Sequence, residues 1–273
     1  MFEPANQSET FWETVYRKSK EYVTEYTLDE VVAELTEEAT RRGRLWYHVD
    51  EAPEGHRMEV DGVQVTLPEQ RHFRELVHPG IITGYTQQYD PSTGDVVIDL
   101  GAYPGDFTVY AAEKVGPDGT VIALEPEPHN FAVLEDALSL NGVENVEPVQ
   151  AAVYSEPGTV TLDKPREYGR IDTEGTIDVE ALTLDGLMEQ VGVDTVDFVK
   201  MDVEGAETAI LDSATGILET HAPHVAVASY HPRENGEGPT SVVVEQQLED
   251  HGYTAVTGYP AHLTTWGIAD TES

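Results

Sequence analysis

Two acid-bearing stretches hold most of the chemistry legible in this chain. The first is VVIDLGAYPGDFT, residues 96–108. Apolar, β-branched residues lead into Asp99, and Gly101, Gly105 and a helix-like run follow. The pattern predicts a buried strand, a tight glycine turn and a helix start. Such a unit offers backbone N–H groups and a positive helix end to a ligand. Glycines in the turn would let that ligand come close to the backbone. Asp99, at the end of the strand, could accept hydrogen bonds from an amine or a ribose. Glu125 ends the next apolar run, TVIALEPEP. An acid at that distance from a glycine turn commonly holds ribose hydroxyls. Together these residues imply a nucleoside-bearing cofactor.

The second stretch is FVKMDVEGAE, residues 198–207. Asp202 should project from the carboxyl end of a strand, where open α/β sheets bind ligands. Glu204 and Glu207 follow at a helix start, where the dipole stabilises carboxylates by ~0.3–1 kcal/mol each. Gly205 permits a close turn. Three carboxylates in six residues could ligate a divalent metal through oxygen, but in so acidic a chain a cluster of acids is weak evidence for one, part of it serves helix capping, and no metal ligand is assigned. A third segment, VAVASYHP, places His231 at another strand end. A histidine there is a candidate general base; the plain alternative is a satisfied loop histidine before Pro232. The other nine histidines fall on expected loops and helices and read as surface residues.

The turn itself narrows the cofactor. A dinucleotide site uses G-x-G-x-x-G, whereas this turn is Gly101-Ala102-Tyr103-Pro104-Gly105, with the inner glycine missing. No Gly-Lys-Ser/Thr phosphate loop occurs either. A ligand with ribose, adenine and an amino acid but no phosphates fits better, which is S-adenosylmethionine.

The elements that must position these residues alternate from Val96 onward. Strands are predicted at about 96–100, 120–125, 146–151, 196–202 and 223–230, with helices at about 106–115, 129–140, 183–191, 206–219 and 240–251. An excursion at 152–182 contains a hairpin around Gly158 and a β-like run at 176–182. Two closing runs, 253–257 and 263–269, are too close for a crossover helix and should be antiparallel. The fold class is therefore α/β, a Rossmann-like, seven-stranded, mostly parallel sheet with an antiparallel last hairpin. Upstream, helical spacing runs through 8–26 and 27–41, the second opened by Thr27 and Glu30 as a capping box. Asp61-Gly62 between alternating runs marks a hairpin over 58–67. Pro68 should start a short helix that Gly80 ends. Tyr85, Gln88 and Tyr89 could cover the amino-acid end of a cofactor, but read more simply as loop residues. The boundary falls at an N-terminal helical and hairpin extension, 1–80, followed by a catalytic domain, 81–273.

Composition sets the surroundings. The chain has 273 residues, with 52 acidic against 15 basic, a formal charge of −37. Only five basics are lysine. Strong apolar periodicity and 22 aromatics argue against disorder. A carboxylate-rich, lysine-poor surface suits concentrated salt, where charges are screened to within ~3 Å at 1 M. The expectation is a halophile's cytoplasmic protein. No basic stripe suits a nucleic-acid backbone. There are no cysteines, so disulfides, cysteine-ligated zinc and thiol catalysis are excluded. No apolar run is long enough to span a membrane.

The motifs resemble the FkbM family of S-adenosylmethionine-dependent methyltransferases. The matching segments are D-x-G-A-x-x-G-D-F-T, IALEPEPHNFAVLEDALSLNG, VQAAV, ALTLDGL, K-M-D-V-E-G-A-E and ASYHP. They cover roughly residues 80–270, and D-x-E-G-x-E is the most distinctive; residues 1–75 lie outside. The resemblance implies methyl transfer to an oxygen of a sugar, glycan or other small hydroxylated acceptor, or to a uronic acid carboxylate. It implies that Asp99, Gly101, Ala102, Tyr103 and Gly105 line the methionine end, with Phe107 and Thr108 beneath. Glu125 would hold the ribose, with Pro126 and Asn130 near adenine, and Gln150, Ala151 and Ala152 against it. Asp202 would face donor and acceptor; Asp202, Glu204 and His231 are the catalytic candidates. The rivals are a nucleic-acid methyltransferase, supported only by Arg41, Arg42 and Arg44, a non-catalytic S-adenosylmethionine-binding protein, and an NAD-dependent enzyme. The extension reads most simply as a cap on the core, and could form a lid or a homo-oligomer contact. If the surface is salt-adapted, the melting temperature by circular dichroism should rise from dilute buffer to molar potassium chloride; an equal or lower value in salt would contradict it.

Overall fold

The computed structural model describes residues 49–52, 55–68, 79–163, 171, 175–232, 238–258 and 262–269. The helices expected within 8–41, and Arg41, Arg42 and Arg44, lie outside the described residues.

The first described elements are strands β1 (Val49–Ala52), β2 (Gly55–Val60) and β3 (Val63–Leu67), which form an antiparallel three-stranded sheet. Asp61 and Gly62 join β2 to β3 with φ of 49° and 82°, the doubly positive pair that a tight hairpin turn needs. Helix α1 follows at Pro79–Tyr85. Gly80 therefore lies within a helix rather than ending one, and most of the helix expected from Pro68 falls outside the described residues.

The alternating region begins with β4 (Val96–Leu100), α2 (Asp106–Val115), β5 (Thr120–Leu124), α3 (Pro128–Asn141) and β6 (Val146–Val149). Next come β7 (Ala152–Val153), β8 (Gly158–Leu162), β9 (Ile177–Leu182) and α4 (Leu184–Val191). The last part holds β10 (Phe198–Met201), α5 (Glu207–Ser213), α6 (Thr215–Thr220), β11 (His224–Ala228), α7 (Ser241–Asp250), β12 (Thr254–Gly258) and β13 (Thr264–Ile268). The expected helix over 206–219 is thus two helices meeting at Ala214.

Seven strands form the main sheet in the order β12-β13-β11-β10-β4-β5-β6. Strands β6, β5, β4, β10 and β11 run parallel. Strand β13 runs antiparallel between β11 and β12. The closing hairpin therefore inserts its second strand inward. Strands β7 and β8 do not pair around Gly158; they flank β9 in a separate sheet, β7-β9-β8.

Side chains of the parallel strands alternate between two faces. Val97, Val121, Ala123, Phe198 and Ala226 face α2, α3 and the β2–β3 hairpin. Ile98, Leu100, Ile122, Leu124, Val199 and Met201 face α4 to α7. The hairpin shares the first core, and the Asn141 amide extends β3 by exchanging hydrogen bonds with Thr66 N (2.8 Å) and Thr66 O (2.6 Å). Among the described residues, no helix is long and apolar enough to cross a membrane.

The chain leaves β4 outward to β5 and β6 and returns to the other side at β10. The carboxyl ends of β4 and β10 flank that switch point, where a crevice opens for ligands. Gly101 makes their close approach possible: its φ is +77°, and a Cβ there would lie 1.9 Å from the Asp202 carbonyl oxygen. The glycine thus admits a neighbouring strand end. Gly101→Ala should lower the melting temperature well beyond Gly62→Ala. Both sites carry a positive φ, worth ~1–2 kcal/mol, but nothing lies within 4 Å of a Cβ at Gly62. Equal losses in the two variants would contradict the steric account.

Candidate functional site

A cavity of about 250 Å³ lies over the carboxyl ends of β4, β5 and β10. That is several times the ~30 Å³ share of one water. Of the residues expected at the site, Gly101, Tyr103, Phe107, Glu125, Pro126, Asn130, Ala151, Ala152, Asp202 and Glu204 line it.

One end is suited to a nucleoside. Glu125 Oε1 accepts from Glu127 N at 3.0 Å and from Asn130 Nδ2 at 3.4 Å. Glu127 in turn caps α3, accepting from Asn130 N at 2.8 Å. These contacts aim Glu125 into the cavity. Burial pushes its carboxyl up to about 7, partly offset by the Glu127, Asn130 and Tyr103 donors. Asn130 Oδ1 is buried with no hydrogen-bond partner. The adjoining wall is apolar, from Ala151, Ala152 and Val153 with Leu162 and Ile171 of the 152–182 excursion. A paired-hydroxyl acceptor, a buried acceptor wanting a donor and an apolar wall together fit a ribose and an adenine.

Five expected contacts are not in the cavity wall. Asp99 is fully buried, 2.9 Å from Lys200 Nζ, and accepts from Thr108 Oγ1 at 2.6 Å. It is a counter-ion for Lys200, and Thr108 is its donor; neither lines the cavity. Ala102 is buried in the core and its N–H, like that of Gly101, goes to Leu124 O. Gly105 lies against α3, where a Cβ would sit 2.9 Å from Ala137 Cβ. Gln150 is exposed. Two of the turn's backbone donors, those of Gly101 and Ala102, are spent on strand β5, and that of Tyr103 on Glu125.

The other end is polar. Asp202 Oδ2 accepts from Tyr85 Oη at 2.9 Å. His262 Nε2 reaches the same hydroxyl at 2.8 Å, and Thr264 Oγ1 lies 3.0 Å from His262 Nδ1. Thr264, His262, Tyr85 and Asp202 therefore form one chain of hydrogen bonds. Burial alone would raise the Asp202 carboxyl, but Lys200, His231, His262 and Tyr85 hold it below the usual carboxylate range. Burial pushes the Tyr85 hydroxyl well up, so it stays a donor. Asp106, also in the wall, is pushed by burial up to about 6 despite Lys200.

His231 is 3% exposed and stands behind this end, outside the wall. Its Nδ1 lies 2.6 Å from Glu207 Oε1, and its Nε2 faces Asp202 Oδ1 and Glu204 Oε2, each at 3.6 Å. Burial alone would lower its pKa, but Glu204, Glu207 and Asp202 outweigh burial and push it up to about 10. It is an imidazolium at neutral pH, which cannot act as the expected general base while it keeps that proton. Glu207 turns inward behind His231 instead of joining Asp202 and Glu204.

Sequence reasoning passed over Lys200 and read His262 as a surface residue, whereas both line the cavity; Tyr85, read as a loop residue that could cover the cofactor, ends helix α1 and also lines it. Lys200 did carry a signal: a lysine inside an apolar strand must be paired. His262 did not. Tyr85 is positioned by Trp266 Nε1, which donates to Gly84 O and Tyr85 O. His262 reaches the site because β13 inserts beside β11, bringing the residues before it to the ligand edge of the sheet.

The sequence profile of the methyltransferase FkbM domain matches residues 99–255, more than half of the chain. Methyltransferase sdnD of Sordaria araneosa is 28% identical over 198 residues, 58% of this chain and 73% of its own. Methyltransferase 1 of Beauveria bassiana is 28% identical over 165 residues, 50% of this chain and 66% of its own. Hexuronic acid methyltransferase AglP of Haloferax volcanii is 25% identical over 158 residues, 56% of this chain and 63% of its own. The crystal structure of methyltransferase FkbM from Methylobacillus flagellatus superposes with a TM-score of 0.52 at 18% identity, over 68% of this chain and 47% of that one. It is similar in fold. This chain spans about two thirds of those curated relatives and under half of that structure.

The two acids of the first motif should separate by experiment. Glu125→Gln should keep the fold and weaken S-adenosylmethionine binding at least tenfold, and wild-type affinity should fall as pH drops through about 7 and the carboxylate is protonated. Asp99→Ala should instead cost ~3–5 kcal/mol of stability, because it leaves a buried lysine unpaired. Calorimetric titration and thermal unfolding in molar salt read both. Weaker cofactor binding with unchanged stability in Asp99→Ala would return Asp99 to the ligand.

Proposed function

The chain belongs to the FkbM methyltransferase family, and on that premise we propose that it methylates an oxygen of a small sugar or glycan, or the carboxylate of a hexuronic acid. The observation that carries this reading is the two-ended cavity, with Glu125 and Asn130 at one end and Asp202, Tyr85 and Glu204 at the other. S-adenosylmethionine is the cofactor of this domain, and it supplies an electrophilic methyl group to an oxygen approaching opposite its sulfur.

The residues divide the work. Glu125 holds the ribose hydroxyls, and Asn130 with the apolar wall holds adenine. Phe107 and Tyr103 exclude water from the middle of the cavity. Asp202 faces the acceptor, held still by Tyr85 and the His262–Thr264 pair behind it. Positioning of this kind supplies much of the rate in a displacement. For a hydroxyl acceptor, Asp202 is the group that can receive its proton; a carboxylate acceptor needs none.

Two observations favour a small acceptor over a nucleic acid. The cavity presents Asp106, Glu125, Asp202 and Glu204, and its cation, Lys200, is paired with Asp99. A phosphate backbone would meet carboxylates there. The relative from Haloferax volcanii bears a name that makes a hexuronic acid its substrate, and a charge of −37 suits a salt-adapted protein of the same kind. Assembly through the N-terminal extension is part of the same reading.

The test incubates the protein with S-adenosylmethionine in molar potassium chloride against hexuronic acids, neutral sugars, sugar nucleotides and RNA, reading S-adenosylhomocysteine. Turnover is expected with a sugar or uronic acid. With a hydroxyl acceptor, Asp202→Asn should lower it at least ~10²-fold, the scale of a lost proton acceptor. Turnover on RNA alone, or cofactor binding with no turnover on any acceptor, would overturn the reading.

A further inference from the structure

We infer that His262 is a positioning residue for the transfer: as a neutral ring with its hydrogen on Nε2, it donates to Tyr85 and so commits the Tyr85 hydroxyl to the Asp202 oxygen that meets the acceptor. That oxygen is identified by burial. Asp202 Oδ1 is buried, yet the side chain is 26% exposed and lines the cavity. Oδ2 is left as the oxygen open to an acceptor, and Tyr85 Oη lies 2.9 Å from it.

The direction of the chain follows from counting hydrogens. Burial alone would raise the Asp202 carboxyl, but Lys200 and its other neighbours keep it ionised, so it only accepts. Tyr85 has one hydroxyl hydrogen, and it must go to Oδ2. Tyr85 Oη then turns a lone pair to His262 Nε2, 2.8 Å away, so Nε2 must carry a hydrogen and donate it. A neutral imidazole with that hydrogen keeps a lone pair on Nδ1, which Thr264 Oγ1 meets at 3.0 Å. A doubly protonated ring is disfavoured. Burial, with His231 and Lys200 near, holds the His262 pKa below its ordinary value, although Asp202 works the other way. With the hydrogen on Nδ1 instead, Thr264 would donate to His262 O at 3.3 Å, and Nε2 would compete with Asp202 for the Tyr85 hydrogen.

The rest of Tyr85 is already fixed. Lys200 Nζ stands 5.4 Å from the centre of its ring. The rings of Phe107 and His262 meet it edge-on at 5.8 and 5.0 Å, and Trp266 Nε1 holds its backbone carbonyl. The direction of the hydroxyl hydrogen is the freedom left, and His262 sets it. His262 lines the cavity, but both its nitrogens are turned to protein oxygens, so it is not placed to take the acceptor's proton. That proton passes to Asp202 Oδ2 as the O–CH₃ bond forms, the C–S bond breaks and S-adenosylhomocysteine leaves. This step rests on the methyltransferase reading with a hydroxyl acceptor; the hydrogen positions do not.

Two measurements test the inference. The first is nitrogen magnetic resonance of isotope-labelled histidine rings in the full chain, at neutral pH in molar potassium chloride. The His262 signal is the one lost in His262→Gln. The expected signature is a single ring hydrogen, on Nε2; a hydrogen on Nδ1, or on both nitrogens, would overturn the inference whatever the activity. The second is a kinetic cycle on the neutral sugar that turns over fastest in the acceptor screen. His262→Phe should lower kcat about tenfold, the scale of one hydrogen bond, with cofactor affinity unchanged. His262→Gln, which restores a donor, should recover most of that loss. Tyr85→Phe should lower kcat roughly 10–100-fold, the scale of a hydrogen bond to a charged group. Adding His262→Phe to it should cost nothing more, because His262 acts through Tyr85. Losses that multiply, or a His262→Gln as slow as His262→Phe, would overturn the positioning role. The expected tautomer with no turnover on any acceptor would overturn the methyltransferase reading alone.

Discussion

A lysine ammonium buried between two strand ends is the constraint on which this site is built. Lys200 is 4% exposed, lies 2.9 Å from Asp99 and donates to Gly101 O at 2.7 Å. Burial works against its charge, but Asp99 and Asp202 more than compensate and hold its pKa above the ordinary value. Lys200 and Asp99 are register partners across β10 and β4. An unpaired buried charge is costly, so the pair favours this register over a slipped one. Gly101 then lets the Asp202 backbone come close, and the Asp202 carboxylate stands at the crevice with a cation beneath it.

From that point the site grades from apolar to charged. Ala151, Ala152 and Val153 form a dry wall beside Glu125, while Asp202, Glu204 and Tyr85 gather at the far end. A cofactor that is aromatic at one end and carries its reactive carbon toward the other matches this gradient. Histidine 231 belongs to the polar end but acts from behind it, tied to Glu207, so the acids and the imidazole form one unit.

Much of this was legible in the sequence. The β-branched runs at 96–100 and 120–124 marked buried strands, Glu125 marked a strand end that lines the cavity, and the short spacing of 253–269 required an antiparallel end. What could not be read was direction. Asp99 and Glu125 look alike as acids near strand ends, yet one faces a neighbouring lysine and the other the cavity. That difference depends on which strand lies beside β4, and β10 is a hundred residues away in the chain. Tyr85 meets Asp202 across 117 positions and His262 across 177. The break at Ala214 and the inward insertion of β13 are likewise decided by packing, not by local pattern.

The most direct test of the account is a crystal structure with S-adenosylhomocysteine bound. The account predicts the ribose hydroxyls on Glu125, adenine against Ala151 and Ala152, and the sulfur facing the Asp202 end, with Asp99 still on Lys200. A ligand seated elsewhere, or Asp99 swung from Lys200 to the amine of the ligand, would contradict it.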